Sequence, residues 1–189
     1  MGKRDKPTSQ PAACLILPSI YLGPCSAASS IPFLTANSIT HVLSIGVTPK
    51  DTVDGVAYHR IPLKDSASVL ITAACAETCA IIDAALSSKN GTGRILVHCS
   101  AGISRSPSVL TAYLMRRHRM SLKAALGRIV RARPQVSPKF LEQLKDMEQE
   151  LFGSVSLHVY ELPKREKDRL VLFESEDISA DVELVDDTG

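Results

Sequence analysis

Residues 94–108 decide the fold of this chain and read Arg-Ile-Leu-Val-His-Cys-Ser-Ala-Gly-Ile-Ser-Arg-Ser-Pro-Ser. The apolar run 95–97 is typical of a short buried strand. A tight loop follows it, and Pro107 suits the first turn of a helix, where proline's missing N–H is not needed. The stretch therefore predicts a strand, a loop and the N-terminus of a helix in direct succession.

A loop in this position can bind an anion, because its N–H groups converge and the positive end of the helix dipole adds to their field. Gly102 gives the loop the backbone freedom it needs, and Arg105 adds a fork of donors that matches two oxygens of a tetrahedral oxyanion. The same field favours the thiolate of Cys99 and lowers its pKa from the usual value of about 8.5. The stretch predicts a thiolate that faces a bound phosphoryl group. A buried cysteine beside a surface arginine is the alternative.

The pattern Cys-x5-Arg, with His98 before it and Ser106 after it, resembles the signature of the cysteine-dependent protein tyrosine phosphatases. The loop Ala-Gly-Ile-Ser-Arg-Ser is most similar to that of the dual-specificity branch. Residues 20–23, Ile-Tyr-Leu-Gly, resemble the way in which catalytic domains of that branch begin. The resemblance covers residues 13–152 and is to a small, atypical dual-specificity phosphatase without an added N-terminal domain.

The resemblance also implies roles for individual residues. Ile61-Pro-Leu-Lys-Asp65 matches the stretch that carries the general acid, whereas Asp51 and Asp54 lie in an earlier loop without that pattern. Cys99 is then the nucleophile, Arg105 holds the phosphoryl oxygens, Ser106 donates to the sulfur and His98 orients the loop. The residues implied to bind the substrate phosphate are Ser100, Ala101, Gly102, Ile103, Ser104 and Arg105. No metal and no cofactor is implied.

The function implied is hydrolysis of phosphotyrosine and phosphoserine or phosphothreonine in proteins through a cysteinyl-phosphate. One alternative is a phosphatase for phosphoinositides or for RNA 5′-phosphates, although the loop lacks the lysines that phosphoinositide relatives carry. Another is a non-catalytic phosphate-binding adaptor, which a missing nucleophile or arginine would favour. Both residues are present here.

Composition narrows the class of protein. The chain has 189 residues, 44% of them hydrophobic and 22% charged, with a net charge of +2, which is ordinary for a soluble globular chain. The small charge and an aromatic content of 4% argue against nucleic acid as a partner, and no apolar run is long enough for membrane insertion. Five cysteines without a signal peptide predict reduced thiols in the cytoplasm or nucleus. Cys75 and Cys79 lack a second pair at zinc spacing and suit helix packing. The oligomeric state stays open.

Strands and helices alternate along the sequence, which predicts an α/β fold with a central mixed β-sheet flanked by helices. Residues 15–17 and 20–23 are expected to form one or two short strands, and further strands are expected at 39–45, 56–63 and 95–97. The helices are expected at 26–37, 72–88, 106–118, 121–133 and from Ser137 to Leu151. Ser137 is expected to cap the last helix. The family often has additional residues between Pro138 and the phenylalanine of this helix, which is Phe140 here.

Three regions are expected along the chain: a disordered N-terminus at 1–12, the phosphatase domain at 13–152 and a charged, largely disordered C-terminal tail at 153–189. Residues 174–189 carry seven acidic side chains and no basic ones. Lys164-Arg165 followed by Leu170-Val-Leu172 resembles the docking peptides that bind mitogen-activated protein kinases. A short strand or helix that packs back on the domain is the alternative.

Overall fold

A computed structural model describes residues 13–174 of the chain. The predicted N-terminal disorder at 1–12 and the acidic stretch 175–189 lie outside the described residues. Within them, the alternation of apolar and branched segments produces one mixed sheet covered on both faces by helices. This arrangement confirms the predicted fold class.

Five strands form the sheet, in the order β1-β2-β5-β3-β4. They are β1 (Cys14–Leu17), β2 (Ile20–Gly23), β3 (His41–Ile45), β4 (Ala57–Ile61) and β5 (Ile95–His98). β1 pairs antiparallel with β2, and the other pairs are parallel. β5 is the central strand and is buried along its whole length, as a strand covered on both faces must be. The residues that follow β5 therefore emerge at the middle of one sheet edge.

Helices connect and cover these strands. They are α1 (Ile31–Ala36), α2 (Thr72–Gly91), α3 (Arg105–His118), α4 (Leu122–Ala132), α5 (Leu141–Phe152) and α6 (Glu166–Phe173). A 3-10 turn at Cys25–Ser29 precedes α1, and the Ser30 hydroxyl accepts from Phe33 N–H to cap that helix. Ser121 caps α4 in the same way, by accepting from Ala124 N–H. α2 loses helical dihedrals from Ser88 to Asn90, where the sequence predicts its end.

The predicted start of the last helix at Ser137 is wrong. α5 begins at Leu141, and residues 137–140 form a turn that leads into it. Ser137 N–H donates to the carbonyl of Ile103, and Lys139 N–H donates to the hydroxyl of Ser104. Because both amides bond the loop after β5, this shorter connection is a brace for that loop rather than a helix cap.

The prediction of a largely disordered tail from residue 153 is wrong for residues 153–174. Leu157 and Leu162 are buried in the main core, and α6 packs against α4 with Phe173 buried between them. Burial of these apolar side chains offsets the ordering of a segment that is densely charged elsewhere. The alternative interpretation, a helix that packs back on the domain, is the one observed.

No helix among residues 13–174 has the length and apolarity needed to cross a bilayer. Over the same residues, no group of three or more histidine, cysteine, aspartate or glutamate side chains is arranged to hold a metal ion. All five cysteines carry free thiols. Cys75 and Cys79 lie buried on the core side of α2, where they serve packing.

Candidate active site

The loop between β5 and α3 forms the floor of the site. Cys99 directly follows β5, and the loop 100–104 then turns into the first residue of α3, Arg105. Gly102 adopts a φ of +68°, and a Cβ there would lie 2.6 Å from the carbonyl oxygen of Gly23 at the end of β2. Both the dihedral and the close approach require glycine at this position.

Each backbone carbonyl from Cys99 to Ser104 accepts a hydrogen bond directed away from the loop's inner side, over distances of 2.9 to 3.1 Å. The donors are His98 Nδ1, Cys25 N, Arg133 Nη2, Arg133 Nε, Ser137 N and Ser108 N. Since a peptide unit points its N–H opposite to its C=O, fixing the carbonyls outward leaves the loop amides facing inward. The loop is therefore a preformed cradle of donors.

The Cys99 thiol lies at the base of this cradle and is only 3% exposed. Burial alone raises its pKa, but the Ser106 hydroxyl, whose Oγ donates to Sγ at 3.2 Å, and the N–H groups of Ser106, Gly102 and Ile103 lower it. The net effect is a pKa of Cys99 below the ordinary cysteine value. This direction agrees with the sequence-based expectation of a thiolate.

His98 is completely buried behind the cradle. Its Nδ1 donates to the Cys99 carbonyl at 3.0 Å, so its Nε2 is the acceptor for the Ser44 hydroxyl at 2.8 Å. Burial lowers the pKa of His98, while the bond to the Cys99 carbonyl raises it less. The ring is therefore held at both nitrogens, by Ser44 and by the Cys99 carbonyl, behind the strand end.

Arg105 reaches over the cradle from the first turn of α3. Its Nη1 donates to the Leu63 carbonyl at 3.4 Å, while its buried Nε has no hydrogen-bond partner among residues 13–174. Gly46, with a φ of +84°, leaves room for this guanidinium, because a Cβ at that position would collide with Nη1. A buried donor without an acceptor costs stability, so Arg105 is arranged to bind an anion rather than the protein.

Asp65 lies at the rim of the same site. Its Oδ1 accepts from the Ser104 hydroxyl at 2.7 Å, and its Oδ2 pairs with Lys139 Nζ at 3.3 Å. Ser104 also accepts from Lys139 N–H, so the carboxyl group, the cradle and the 137–140 turn are bonded together. The structure brings Asp65 to Cys99 across one pocket, whereas Asp51 and Asp54 are exposed in the β3–β4 loop and line no part of it.

These groups surround a cavity of about 1020 Å³. Its floor includes Cys99, most of the predicted phosphate-binding loop and Arg105, and one side carries Asp65 and Lys139. A further part of the lining, called here the C-terminal wall, comes from the C-terminal segment and includes Tyr160, Glu161, Leu162, Lys164 and Arg169. Gly102 lies behind the lining and contributes its N–H to the Cys99 sulfur. All of the sequence-predicted residues thus meet at this one place.

The sequence analysis missed several residues that build the site. Arg133 carries no motif in the sequence, yet it is 3% exposed and its side chain donates to two cradle carbonyls, those of Gly102 and Ala101. Ser44, Gly46, Lys139 and the C-terminal wall were also missed. The one available signal was the position of Arg133 directly before Pro134, where α4 must end and the side chain leaves the helical face.

The arrangement is suited to nucleophilic displacement at phosphorus. A buried cysteine of lowered pKa faces a pocket lined by loop amides and a guanidinium, which together would neutralise the charge of a phosphate ester. A carboxyl group stands at the rim, where a leaving oxygen would depart. No side-chain cluster for a metal is found around the cavity in the described part of the chain.

Comparison with known proteins agrees with this geometry. The profile of the family "Dual specificity phosphatase, catalytic domain" matches residues 20–150. Mouse dual specificity protein phosphatase 2 is 40% identical over 126 residues, which are 66% of this chain and only 39% of that protein. Human dual specificity protein phosphatase 18 is 34% identical over 78% of this chain and 79% of its own length.

Solved structures give the same result. The crystal structure of human DUSP28 superimposes with a TM-score of 0.68 at 33% identity, covering 75% of this chain and 95% of that one. The family profile spans residues 20–150, from β2 into α5, and ends before the C-terminal segment that contributes to the lining of the cavity. The chain belongs to the family of dual specificity phosphatase catalytic domains.

Proposed function

We propose that this chain hydrolyses phosphotyrosine and phosphoserine or phosphothreonine in proteins through a cysteinyl-phosphate intermediate. The observation that carries the proposal is the set of outward-bonded carbonyls from Cys99 to Ser104, which commits the loop amides to an anion above a thiolate of lowered pKa. Membership of the family supports the same activity.

In the first step the Cys99 thiolate attacks phosphorus and the bond from phosphorus to the leaving oxygen breaks. The loop amides and Arg105 hold the remaining phosphoryl oxygens as their charge redistributes. Asp65 gives its proton to the departing oxygen, because an alkoxide or phenoxide is a poor leaving group. The product alcohol leaves, and the phosphoryl group stays on sulfur.

In the second step water attacks the cysteinyl-phosphate. Asp65, now a carboxylate, takes a proton from that water, and the bond from sulfur to phosphorus breaks. The Ser106 hydroxyl, already 3.2 Å from Sγ, donates to the departing thiolate. Inorganic phosphate leaves, and the thiolate is ready for another cycle.

Two other functions are less well supported. The cradle contains no lysine that would match the higher charge of a phosphoinositide headgroup. A non-catalytic adaptor needs the phosphate-binding loop and its arginine, but it has no use for a nucleophilic thiolate and a carboxyl group at the rim of the same pocket. Protein phosphomonoesters are the substrate class that the residues favour.

The test is rapid quenching of the enzyme with a ³²P-labelled phosphotyrosyl or phosphoseryl peptide. We expect labelled protein that is stable to mild base and mapped to Cys99, and release of inorganic phosphate over many cycles. The Cys99→Ser protein should bind the peptide without releasing phosphate. Binding without turnover by the wild type under reducing conditions would instead identify an adaptor.

Mitogen-activated protein kinases are candidate partners, because residues 164–172 resemble their docking peptides. Here residues 166–172 lie in α6, and Leu170 and Leu172 pack partly against the core, whereas the side chains of Arg165 and Val171 are exposed and available for docking. Replacing both with alanine should weaken kinase binding measured by calorimetry. Unchanged binding would remove the docking proposal while leaving the enzyme activity intact.

The cytoplasm or nucleus is the compartment in which we place this activity. A thiolate nucleophile needs a reducing environment, and all five cysteines are free. Fluorescence microscopy of the tagged full chain tests the placement, and accumulation in the secretory pathway would contradict it.

A further inference from the structure

We propose that the cavity contains a second oxyanion subsite, built by Arg169 and Lys164, that binds an acidic or phosphorylated side chain next to the scissile phosphate of a peptide substrate. The inference rests on the proposed function, since it concerns how the same pocket selects its substrate. It arises from the C-terminal segment, which lies beyond the matched family region at 20–150.

The first argument is that this segment is fixed in place. The Glu148 carboxylate is 1% exposed and accepts from Ser156 N–H at 2.8 Å and from the Ser156 hydroxyl at 2.6 Å. Leu157 and Leu162 are buried beyond it, and Phe173 packs against Gly127 of α4 at the other end. Anchored at several points, the segment is a permanent wall of the pocket.

The second argument is the state of the Arg169 guanidinium, which is only 5% exposed. Its Nε donates to the Pro134 carbonyl at 2.7 Å, and its Nη1 donates to the carbonyls of Pro163 at 2.6 Å and Lys164 at 2.9 Å. Its Nη2 has no acceptor within the described range 13–174. Arg169 lines the same cavity as Cys99. Its guanidinium is held in place by Nε and Nη1, and Nη2 can donate to a ligand in the cavity.

The third argument is the balance of charge around the cavity. Lys139 pairs with Asp65 at 3.3 Å, and Lys145 pairs with Glu142 at 2.7 Å. The remaining charged groups of the lining are Arg105, Lys164, Arg169 and Glu161. Glu161 and Lys164 are both exposed and screened by solvent, whereas Arg169 is buried, so the part of the lining around Arg169 favours an anion.

The fourth argument is size. A cavity of about 1020 Å³ lies at the upper end for ligand pockets and exceeds what one phosphoryl group occupies. Arg105 and the loop amides already hold that phosphoryl group. Because Arg169 lines the same cavity as Cys99 and Arg105, the additional volume offers space for a neighbouring side chain of the same peptide. The ligand is a carboxylate or a second phosphate, which share the same oxyanion chemistry.

The experiment measures peptide binding to the Cys99→Ser protein by calorimetry and kcat/KM with the wild type. Phosphotyrosyl peptides carry alanine, glutamate or phosphothreonine at each position flanking the scissile residue. We expect glutamate or phosphothreonine at one position to strengthen binding by about tenfold over alanine. A preference for phosphothreonine alone would identify a second phosphate as the natural ligand, and equal gains would identify any acidic side chain.

Variants then assign the effect to the wall. Arg169→Gln and Lys164→Gln should abolish or reduce the gain while turnover of a small aryl phosphate, which cannot reach the wall, stays within about twofold. Lys167→Gln is the matched control, because Lys167 is an exposed lysine of α6 that does not line the cavity.

Equal affinity for the alanine, glutamate and phosphothreonine peptides at every position would overturn the subsite. An equal loss on the aryl phosphate and on all peptides in Arg169→Gln, with no change in Lys164→Gln, would also overturn it and leave Arg169 as a structural brace. Failure of the wild type to turn over any ester contradicts the proposed function instead, because the binding preference is measured on a protein that lacks the nucleophile.

Discussion

Two thiols of this chain are equally buried and chemically opposite. Cys75, on α2, is completely buried, and its burial raises its pKa to about 12 although Arg116 lowers it slightly. Cys99 is 3% exposed, and its pKa falls below the ordinary value because of the Ser106 hydroxyl and the loop amides. The two environments differ in their donors and not in their exposure. Reactivity here depends on where the backbone N–H groups point.

The largest effect should come from removing each sulfur in turn. Cys99→Ser should lower kcat by roughly 10⁴-fold or more, because a serine hydroxyl in this cradle is not ionised and no covalent intermediate forms. Cys75→Ser should leave kcat within a fewfold and cost only stability, since a hydroxyl replaces a thiol in an apolar site. Steady-state kinetics and thermal unfolding distinguish the two. Full activity of the Cys99→Ser protein would contradict the assignment of Cys99 as the nucleophile.

The next effect concerns Asp65, the residue that we propose as the general acid. Asp65→Asn should lower kcat by roughly 10²- to 10³-fold on phosphoseryl peptides, whose alkoxide leaves with difficulty without a proton. An aryl phosphate with an acidic leaving group should be affected much less. Asp51→Asn, in the exposed β3–β4 loop, is the control and should retain wild-type rates on both. An equal loss on both substrates would show that Asp65 only holds the loop.

A third, smaller effect distinguishes the contribution of Arg105 from that of the loop amides. Gly46→Ala should lower kcat/KM by roughly 10²-fold, because the new methyl group collides with the Arg105 guanidinium and removes one oxyanion donor. Gly55→Ala is the matched control: Gly55 has a similar φ of +80°, but a Cβ there meets nothing within 4 Å. Both variants carry backbone strain of about 1–2 kcal/mol. Only the first should weaken inhibition by vanadate, and equal inhibition of both would contradict the packing argument.

The sequence predicts the reactive thiol well because its determinants are local. A strand, a glycine, a five-residue gap to Arg105 and a helix start lie within one stretch, and short-range geometry fixes what they form. The elements around it follow from periodicity and caps such as Ser121. The sheet order and the pairing of β5 with β2 and β3 join segments that are distant in the chain, and the sequence analysis makes no prediction of them.

The parts that the sequence does not reveal depend on contacts between distant residues. Arg133 reaches back to Gly102 and Ala101, and Ser137 to Ile103, across more than thirty residues of chain. The sequence alone does not distinguish a buried arginine from an exposed one. For Arg133 the one indication is its position at the C-terminal end of α4. The C-terminal wall is predicted to be disordered because its many charged residues hide the few apolar ones. Burial of those apolar residues, such as Phe173, stabilises the ordered segment.

The smallest predicted effect tests directly whether hydrogen-bond donors cause the difference in pKa between Cys99 and Cys75. Ser106→Ala removes the hydroxyl that donates to Sγ of Cys99, and a hydrogen bond to a charged group contributes roughly 1.5–3 kcal/mol. Because the lost donor stabilised the thiolate, the pKa of Cys99 should rise by roughly one to two units. The measurement is alkylation by iodoacetamide, quantified for each cysteine by mass spectrometry from about pH 4 to pH 10.

The direction of the shift decides the outcome. Below its pKa, a thiol reacts in proportion to its thiolate fraction, so the profile of Cys99 in the variant should move to higher pH while Cys75 stays unreactive throughout. Thr111→Val is the control, since it removes a buried hydroxyl of α3 that donates to the Pro107 carbonyl and not to sulfur. If both variants left the Cys99 profile in place, the loop amides alone would hold the thiolate, and Ser106 would act only when the sulfur departs from phosphorus.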